Sequence, residues 1–287
     1  MIRPVLCGEG FLAEVAATAT EEAGFRLWWL GQSGYLLQWQ GRHVLLDPYL
    51  SDSLTEKYAG TERPHVRLTE RVIAPERLDF IDVATSSHNH TDHLDAATLG
   101  PLLRASPRMH LVIPEANRAF VAARLGVPAS LPIGLDDGRS AEVGGFRFTG
   151  VAAAHETVER DAAGCCRYLG YLVRFGPWCL YHSGDTVRYP GMAERLAGCG
   201  IDVALLPING AVAARGVAGN LSGPEAAALA ADSGAALVIP CHYEMFAFNT
   251  AAPDEFRRAA ERLGQPYALL AAGQRWSSAG GLGLGRA

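Results

Sequence analysis

Short apolar runs separated by glycines fill the chain between residues 26 and 46. The runs cover 26–30, 35–39 and 42–46. Gly31 and Gly34 separate the first two runs and Gly41 precedes the third, a pattern typical of consecutive antiparallel strands joined by tight turns. The polar segment 51–77 lacks clear periodicity, so we predict a long loop there, and loops of this length are often functional.

From residue 80 onward, short apolar runs alternate with amphipathic stretches. Strands are predicted at 80–85, 110–113, 143–151, 168–175, 178–182, 203–206, 236–239 and 267–271. Helices are predicted at 9–23, 95–104, 115–125, 224–233 and 253–263, with Gly126 closing the third and Ser222 as the candidate N-cap of the fourth. Each helix carries one apolar stripe and therefore covers a face of a sheet. This order of elements predicts an α/β layered fold in which two sheets pack face to face with helices outside.

The sequence shows no internal repeat and no Pro- or Ser-rich linker, which predicts one domain over residues 1–287. Residues 1–24 form a helical lead-in in this interpretation, and the glycine-rich segment 277–287 is predicted to be a flexible tail. Hydrophobic residues make up 49% of the chain, which is enough to bury a sizeable core and excludes a disordered protein.

Charge and hydropathy narrow the class of partner. The chain has 25 basic and 30 acidic residues, a formal net charge of −5 and no basic block, which argues against nucleic acid. No apolar run approaches the roughly 18 residues that a membrane span needs. Glu9 and Glu14 interrupt the N-terminal apolar stretch, so we predict no signal peptide and a cytoplasmic location. Six cysteines without a C-x-x-C pair fit the free thiols of that compartment.

The segment His-Asn-His-Thr-Asp-His at 88–93 directly follows the predicted strand 80–85. It places four potential metal ligands within six residues, three imidazoles and one carboxylate. His88 and His90 point to the same side of an extended chain, whereas the turn brings Asp92 and His93 to a neighbouring position. This loop therefore has the chemistry to serve two metal positions.

One loop does not complete two coordination shells, so further ligands must come from elsewhere. Three candidates lie just past the ends of apolar strands, namely His155, Asp185 and His242. Strand ends are the places where functional loops collect in layered sheets. A lone histidine in such a place is usually structural, but three such places together with the loop favour a metal site.

Taken together, these residues resemble the metallo-β-lactamase superfamily in order and in strand context. Several segments resemble its L-ascorbate-6-phosphate lactonase-like branch. They are 28–35, the Leu-Leu-Asp-Pro at 45–48, the Tyr-His-Ser-Gly-Asp at 181–185 and the His-Tyr-Glu-Met-Phe at 242–246. The resemblance spans about residues 25–275 and implies an αββα sandwich of two mixed β-sheets flanked by helices, with the metal site at one edge of the sheets.

The same resemblance implies how the ligands divide between two positions. The first position takes His88, His90 and His155, the second takes Asp92, His93 and His242, and Asp185 bridges them. The implied cofactor is one or two divalent transition metal ions. A ligand set of nitrogen and oxygen fits Zn²⁺, Mn²⁺ or Fe²⁺ without choosing among them. Within the family, the lactonase is associated with manganese and other relatives with zinc.

The implied function is that of a metal-dependent hydrolase. A bound dication makes hydroxide available near neutral pH and stabilises the oxyanion that develops. A small ester, lactone or phosphoester is the predicted substrate and partner, and a homo-oligomer stays open. Asp92 and Asp185 are the predicted catalytic residues, with Asp92 orienting water or receiving a proton if only one metal binds.

Some side chains near the proposed ligands are candidates for further roles. Tyr243 and Phe246 follow His242 directly, and Asn209 lies on a loop after the strand 203–206, so all three are predicted substrate contacts. His182 either holds the ligand loop of Asp185 or is a hydrogen-bonded core histidine. Arg188 and Arg215 are candidates for an anionic substrate or for solvated surface, and the roles of Cys165, Cys166 and Cys241 stay open.

Other functions on the same fold are less consistent with the sequence. A nucleic-acid-processing hydrolase or phosphodiesterase is the alternative, but only 57 positions separate Asp185 from His242, so the large insertion common in such enzymes is missing. A di-iron redox enzyme usually has Glu where His90 stands. A non-catalytic metal-binding protein would not need all seven ligands intact.

Overall fold

The computed structural model describes residues 1–21 and 23–280, and its first sheet has seven strands. They are β1 (Arg26–Gly31), β2 (Gly34–Trp39), β3 (Arg42–Leu46), β4 (Val83–Thr85), β5 (His110–Pro114), β6 (Ile133–Leu135) and β13 (Arg275–Ser277). Their spatial order is β13-β1-β2-β3-β4-β5-β6. The β13-β1-β2-β3 part is antiparallel and the β3-β4-β5-β6 part is parallel, so the sheet is mixed.

The second sheet has six strands in the order β12-β11-β10-β9-β8-β7. They are β7 (Ser140–Val143), β8 (Phe146–Ala152), β9 (Leu169–Phe175), β10 (Trp178–His182), β11 (Val203–Pro207) and β12 (Leu237–Cys241). Strands β7 to β10 pair antiparallel, and β10, β11 and β12 pair parallel. In consequence β8, β10, β11 and β12 all end at the same edge of this sheet.

The helices are α1 (Gly8–Thr18), α2 (Ser53–Lys57), α3 (Ala96–Ala105), α4 (Arg118–Leu125), α5 (Met192–Leu196), α6 (Gly223–Asp232) and α7 (Asp254–Leu263). Alternate residues of β1 show how the layers join. Leu27 and Trp29 belong to the cluster shared with the second sheet, whereas Trp28 and Leu30 pack with α1 and α3. Because both faces of β1 are covered, the strand is continuously apolar from Leu27 to Leu30 rather than alternating. The predicted αββα sandwich of two mixed sheets is confirmed.

Local signals placed several element ends correctly. Ser222 caps α6 in a capping box with Glu225, and Gly126 closes α4 in the left-handed conformation. Other bounds differ from the prediction. Only Val83–Thr85 of 80–85 forms a strand, and 143–151 splits into β7 and β8 around Gly144 and Gly145. The helical lead-in ends at Thr18. Helices α2 and α5 were not predicted, because they are too short to show a periodic pattern of apolar residues.

The element prediction is least accurate near the end of the chain. Residues 267–271 form no strand, and only Tyr267 makes a single bridge, to Val238. The closing strand is β13 instead, in which Ser277 pairs with Arg26, and the Ser278 hydroxyl accepts a hydrogen bond from the Phe25 N–H. The flexible tail predicted from 277 is therefore wrong for 277–280, and 281–287 lie outside the described residues.

Within residues 1–21 and 23–280, no helix combines the length and the apolar character needed to cross a bilayer.

Candidate metal centre

All seven predicted ligands lie at one edge of the sandwich, because each follows the end of a strand. The 88–93 loop follows β4, His155 follows β8, Asp185 follows β10 and His242 follows β12. Strands β8, β10 and β12 end at the same edge of the second sheet, and the loop after β4 reaches them from the first sheet. The edge of two packed sheets thus brings together side chains that are up to 154 positions apart in sequence.

The ligand atoms form two groups, and within each group they all lie within 4.8 Å of one another. The first group is His88, His90 and His155, and the second is Asp92, His93, Asp185 and His242. Asp185 also reaches the first group, since its Oδ2 lies 3.7 Å from His155 Nε2. Its Oδ1 lies 3.3 Å from His93 Nε2 in the second group. This carboxylate therefore faces both groups.

The residues present fit divalent metal ions. His88 Nε2, His93 Nε2 and Asp185 Oδ1 are buried, and within the described part of the chain none of them has a hydrogen-bond partner. Leaving buried polar atoms unpaired is costly, and unpaired atoms that converge on one place are the expected ligands of a cation. Imidazole and carboxylate donors suit Zn²⁺, Mn²⁺ or Fe²⁺ and do not choose among them.

The electrostatics of the site divide its histidines into two kinds. Burial and the neighbouring His93 hold the pKa of His88 well below its usual range, so His88 offers a lone pair. Burial also acts to lower the pKa values of His93 and His242, but the carboxylates of Asp185 and Asp92 outweigh it. They raise the pKa of His242 to about 9 and hold that of His93 well above its usual value. Metal ions must therefore displace protons from these two rings.

Asp47 is a candidate site residue that sequence reasoning did not single out. Its buried carboxylate accepts a hydrogen bond of 2.7 Å from His93 Nδ1, which turns His93 Nε2 toward the metal centre. The same carboxylate accepts hydrogen bonds from the Ser87 N–H at 3.0 Å and from the Thr85 hydroxyl at 2.9 Å. A carboxylate behind a ligating histidine fixes the tautomer and orientation of the ring. Asp47 lies in the segment 45–48, which resembles the lactonase-like branch, but no spacing rule connects this segment to the 88–93 loop.

The turn between β1 and β2 supports the second ligand group. The Gln32 side-chain amide donates a 2.7 Å hydrogen bond to Asp92 Oδ2, and the Gln32 carbonyl accepts one of 3.0 Å from the His242 N–H. Both Gln32 (φ 51°) and His242 (φ 64°) lie in the left-handed backbone region, which is strained for side-chain-bearing residues. Such strain at a ligand and at its partner is typical of a functional site.

A cavity of about 390 Å³ opens onto these ligands. One side is aromatic: Tyr58 stacks on His65 with ring centroids 4.4 Å apart, and Phe246 and Phe248 each meet the His65 ring edge at 5.3 Å. The segment 51–77, predicted to be a loop excursion, supplies much of this wall. The size falls within the usual range for small-molecule sites.

The predicted substrate contacts are placed differently from one another. Phe246 lines the cavity, but Tyr243 does not. The Tyr243 ring packs on Trp29 with centroids 4.4 Å apart, and its hydroxyl donates to the Leu270 carbonyl, so the prediction for Tyr243 is corrected. Asn209 is buried behind the wall, where its amide donates to the cavity-lining Asn249.

The remaining candidates lie outside the cavity. His182 Nε2 donates to the Ser33 carbonyl and so holds the β1–β2 turn rather than the loop of Asp185. Arg188 pairs with Asp232, and Arg215 donates to the Asn209 and Thr250 carbonyls. All six cysteines are free thiols, and burial raises the pKa of the Cys241 thiol well above its usual value, which keeps it protonated.

Comparisons with known proteins agree with this geometry. Residues 26–242 match the family model described as the β-lactamase superfamily domain. The chain is 31% identical over 252 residues to a UPF0173 metal-dependent hydrolase from Rubrobacter xylanophilus, an alignment that covers 84% of this chain and 90% of that protein.

Two solved structures share the fold. Igni18, a metallo hydrolase from Ignicoccus hospitalis, has a TM-score of 0.65 at 20% identity, covering 89% of this chain and 98% of that one. The isothiocyanate hydrolase from Delia radicum gut bacteria has a TM-score of 0.68 at 18% identity, covering 88% and 98%. The matched family model and the curated relatives, together with the ligand geometry, establish that this chain belongs to the metallo-β-lactamase superfamily and is a metal-dependent hydrolase.

Proposed function

We propose that the protein hydrolyses a small ester, lactone or phosphoester at a centre of two divalent metal ions. The observation that carries this proposal is the pair of ligand groups with Asp185 facing both, at the floor of a cavity of about 390 Å³. A cavity of this size accommodates a small molecule, and no protein nucleophile is needed beside such a centre.

The chain's own residues have distinct tasks in this proposal. His88, His90 and His155 would hold one ion and Asp92, His93 and His242 the other, with the Asp185 carboxylate facing both groups. Ions held there supply Lewis acidity and a water made nucleophilic near neutral pH. Asp92, fixed by the Gln32 amide, orients that water or accepts its proton where one ion alone is bound. Phe246 excludes bulk water from one side of the cavity.

Zn²⁺ and Mn²⁺ are the proposed ions, with Fe²⁺ as a further candidate, because the donors are imidazole and carboxylate. The lactonase-like branch of the family is part of this proposal and rests on the segments around the ligands. We also propose that the protein acts in the cytoplasm on a small molecule rather than on nucleic acid, which the net charge of −5 supports.

A turnover assay with metal-loaded protein tests the proposal. Lactones, carboxylic esters, phosphomonoesters, phosphodiesters and β-lactams are each offered to protein loaded with Zn²⁺ or Mn²⁺ and to chelated protein. We expect hydrolysis of at least one of the first four classes, which chelation abolishes and metal restores. Loaded protein that turns over none of them, or hydrolysis that survives complete chelation, contradicts the proposal.

A further inference from the structure

The wall of the metal-centre cavity is rich in basic side chains. Lys57, Arg63 and Arg124 all line it, whereas the carboxylates that line it are Asp92 and Asp185, both metal ligands. Two divalent ions more than neutralise these two carboxylates. The cavity therefore has a positive field, and its apolar walls strengthen that field by lowering the local dielectric constant.

The three basic residues of the wall have no acidic partner among the described residues. Among residues 1–21 and 23–280, neither Lys57, Arg63 nor Arg124 forms an ion pair with a carboxylate, whereas Arg188 pairs with Asp232 and Arg67 with Asp52. Unpaired basic groups around a concave site remain available to an anionic ligand.

Lys57 is conspicuous in the sequence as well as in the cavity. The chain has 25 basic residues, and Lys57 is the single lysine among them. It ends α2, is exposed, and its ammonium lies 5.1 Å from the centroid of the Tyr58 ring, part of the aromatic wall. An ammonium is a compact charge with three donors, which suits an anionic oxygen at the mouth of a site.

Arg63 is held in place by the opposite rim of the cavity. Its Nη1 donates a 2.6 Å hydrogen bond to the carbonyl of Gly216, which also lines the cavity. A Cβ at Gly216 would lie 2.4 Å from Arg63 Nη2, so glycine lets the guanidinium lie close against the rim. One contact leaves most of the five donors of the guanidinium for a ligand.

Arg124 has a different task. Its Nη1 donates to the carbonyls of Asn89, within the ligand loop, and of Leu94 just after it. Arg124 therefore holds that loop and adds charge to the cavity, but part of its donor set is already used.

We propose that the substrate carries an anionic group, a carboxylate or a phosphate, which Lys57 and Arg63 bind at the mouth of the cavity while the bond to be hydrolysed lies at the metal centre. Only the placement of the hydrolysed bond at the metal centre rests on the proposed function. The anion site itself is a property of Lys57 and Arg63 and can be measured as binding.

Calorimetric binding to the metal-loaded protein is the first test. The probes are glutarate, methylphosphonate and the uncharged glutaramide, which has no ester bond to hydrolyse, and the variant is Lys57→Gln/Arg63→Gln. We expect at least one anion to bind, with a dissociation constant at least about tenfold higher in the double variant, a change of about 1.4 kcal/mol. The probe with the larger loss identifies carboxylate or phosphate as the preferred group. Arg188→Gln, an exposed arginine on another surface, is the matched control and should change binding less than about twofold.

Selective acylation of amines is a second test that needs no variant. Lys57 and the chain's amino terminus are the aliphatic amines that react with N-hydroxysuccinimidyl acetate, and Met1 lines a separate pocket. Mass spectrometry should show that the binding anion slows acylation of Lys57 severalfold and leaves the terminal amine unchanged. Glutaramide should protect neither amine.

Three results would overturn the inference. The first is that neither anion binds the loaded protein. The second is that an anion binds equally well to the wild type and the double variant, which places it on the metals alone, and the third is that a bound anion leaves Lys57 acylation unchanged. A neutral ester assayed in parallel separates the two proposals. Turnover of that ester with no anion site leaves the proposed function standing, whereas an anion site without turnover of any ester, lactone or phosphoester leaves only the anion site.

Discussion

Asp185 is the residue on which the two-metal arrangement depends most. Its two oxygens face different ligand groups, at 3.7 Å from His155 Nε2 and 3.3 Å from His93 Nε2. We expect Asp185→Asn to weaken metal binding at both positions, because a neutral amide is a poor ligand for a dication. His155→Ala should weaken mainly one position.

Metal content per chain after dialysis against a weak chelator measures this difference. We expect Asp185→Asn to retain clearly less metal than His155→Ala. Full retention in both variants, or the same small loss in both, would contradict the assignment.

Asp47 acts on the metal centre through His93. Replacing its carboxylate with an amide in Asp47→Asn keeps the size of the side chain but removes the charge that orients the ring. We expect about 10–100-fold weaker metal binding, as is common when such a partner is changed. Competition with a metal-binding dye measures this affinity. Asp82→Asn is the control, since Asp82 accepts from the His43 N–H away from the metal centre and should leave metal affinity unchanged. Equal effects from both substitutions would show that the loss is one of folding.

At the scale of elements, the contact of α1 with the first sheet contains a buried histidine. The Gln38 amide donates to His43 Nε2 and to the Val15 carbonyl, and the Thr18 hydroxyl donates to the Gln38 carbonyl oxygen. Burial lowers the pKa of His43 to about 4, although the Asp82 carboxylate acts to raise it. The hydrogen bond from the Gln38 amide likewise requires a neutral ring. The folded protein therefore resists protonation of His43.

The stability of this contact should depend on pH. The unfolded chain binds a proton at His43 near pH 6.5 and the folded chain only near pH 4, so the unfolded state binds more protons between these values. The contribution of neutral His43 to the free energy of unfolding is fully present above about pH 6.5. It falls as the pH is lowered and levels off below about pH 4. Between pH 7 and pH 5, the free energy of unfolding should fall more in the wild type than in His43→Gln, by on the order of 2 kcal/mol. Urea unfolding at both pH values measures this; parallel curves for the two proteins would refute it.

Local signals predicted most of the elements, and they singled out the candidate ligands that lie within one segment or directly after a strand. The 88–93 loop is such a case, and so are the caps of α6 at Ser222 and of α4 at Gly126. Asp47 could not be predicted because it reaches His93 only through the parallel pairing of β3 with β4. Tyr243 and Phe246 are both aromatic, so the sequence does not distinguish them. The left-handed backbone at His242 and Glu244 directs Tyr243 into the core and Phe246 to the cavity.

At the scale of the whole molecule, metal binding should stabilise the fold. The ligands come from the ends of four strands in two sheets, so ions bound among them connect both halves of the sandwich. A ligand that binds only the folded state raises stability in proportion to the logarithm of its concentration over its dissociation constant. We expect chelation to lower the melting temperature and added Zn²⁺ or Mn²⁺ to restore it, as followed by scanning calorimetry. A melting temperature indifferent to chelator and metal would contradict this coupling.

Two metal positions that share Asp185 at the edge of the sandwich are the core of the proposed centre. Anomalous X-ray diffraction from crystals of protein loaded with Zn²⁺ or Mn²⁺ would locate them. We expect two anomalous peaks per chain, one among His88, His90 and His155 and the other among Asp92, His93 and His242, with Asp185 in contact with both. Peaks elsewhere on the chain, or none at these ligands in fully loaded protein, would contradict it.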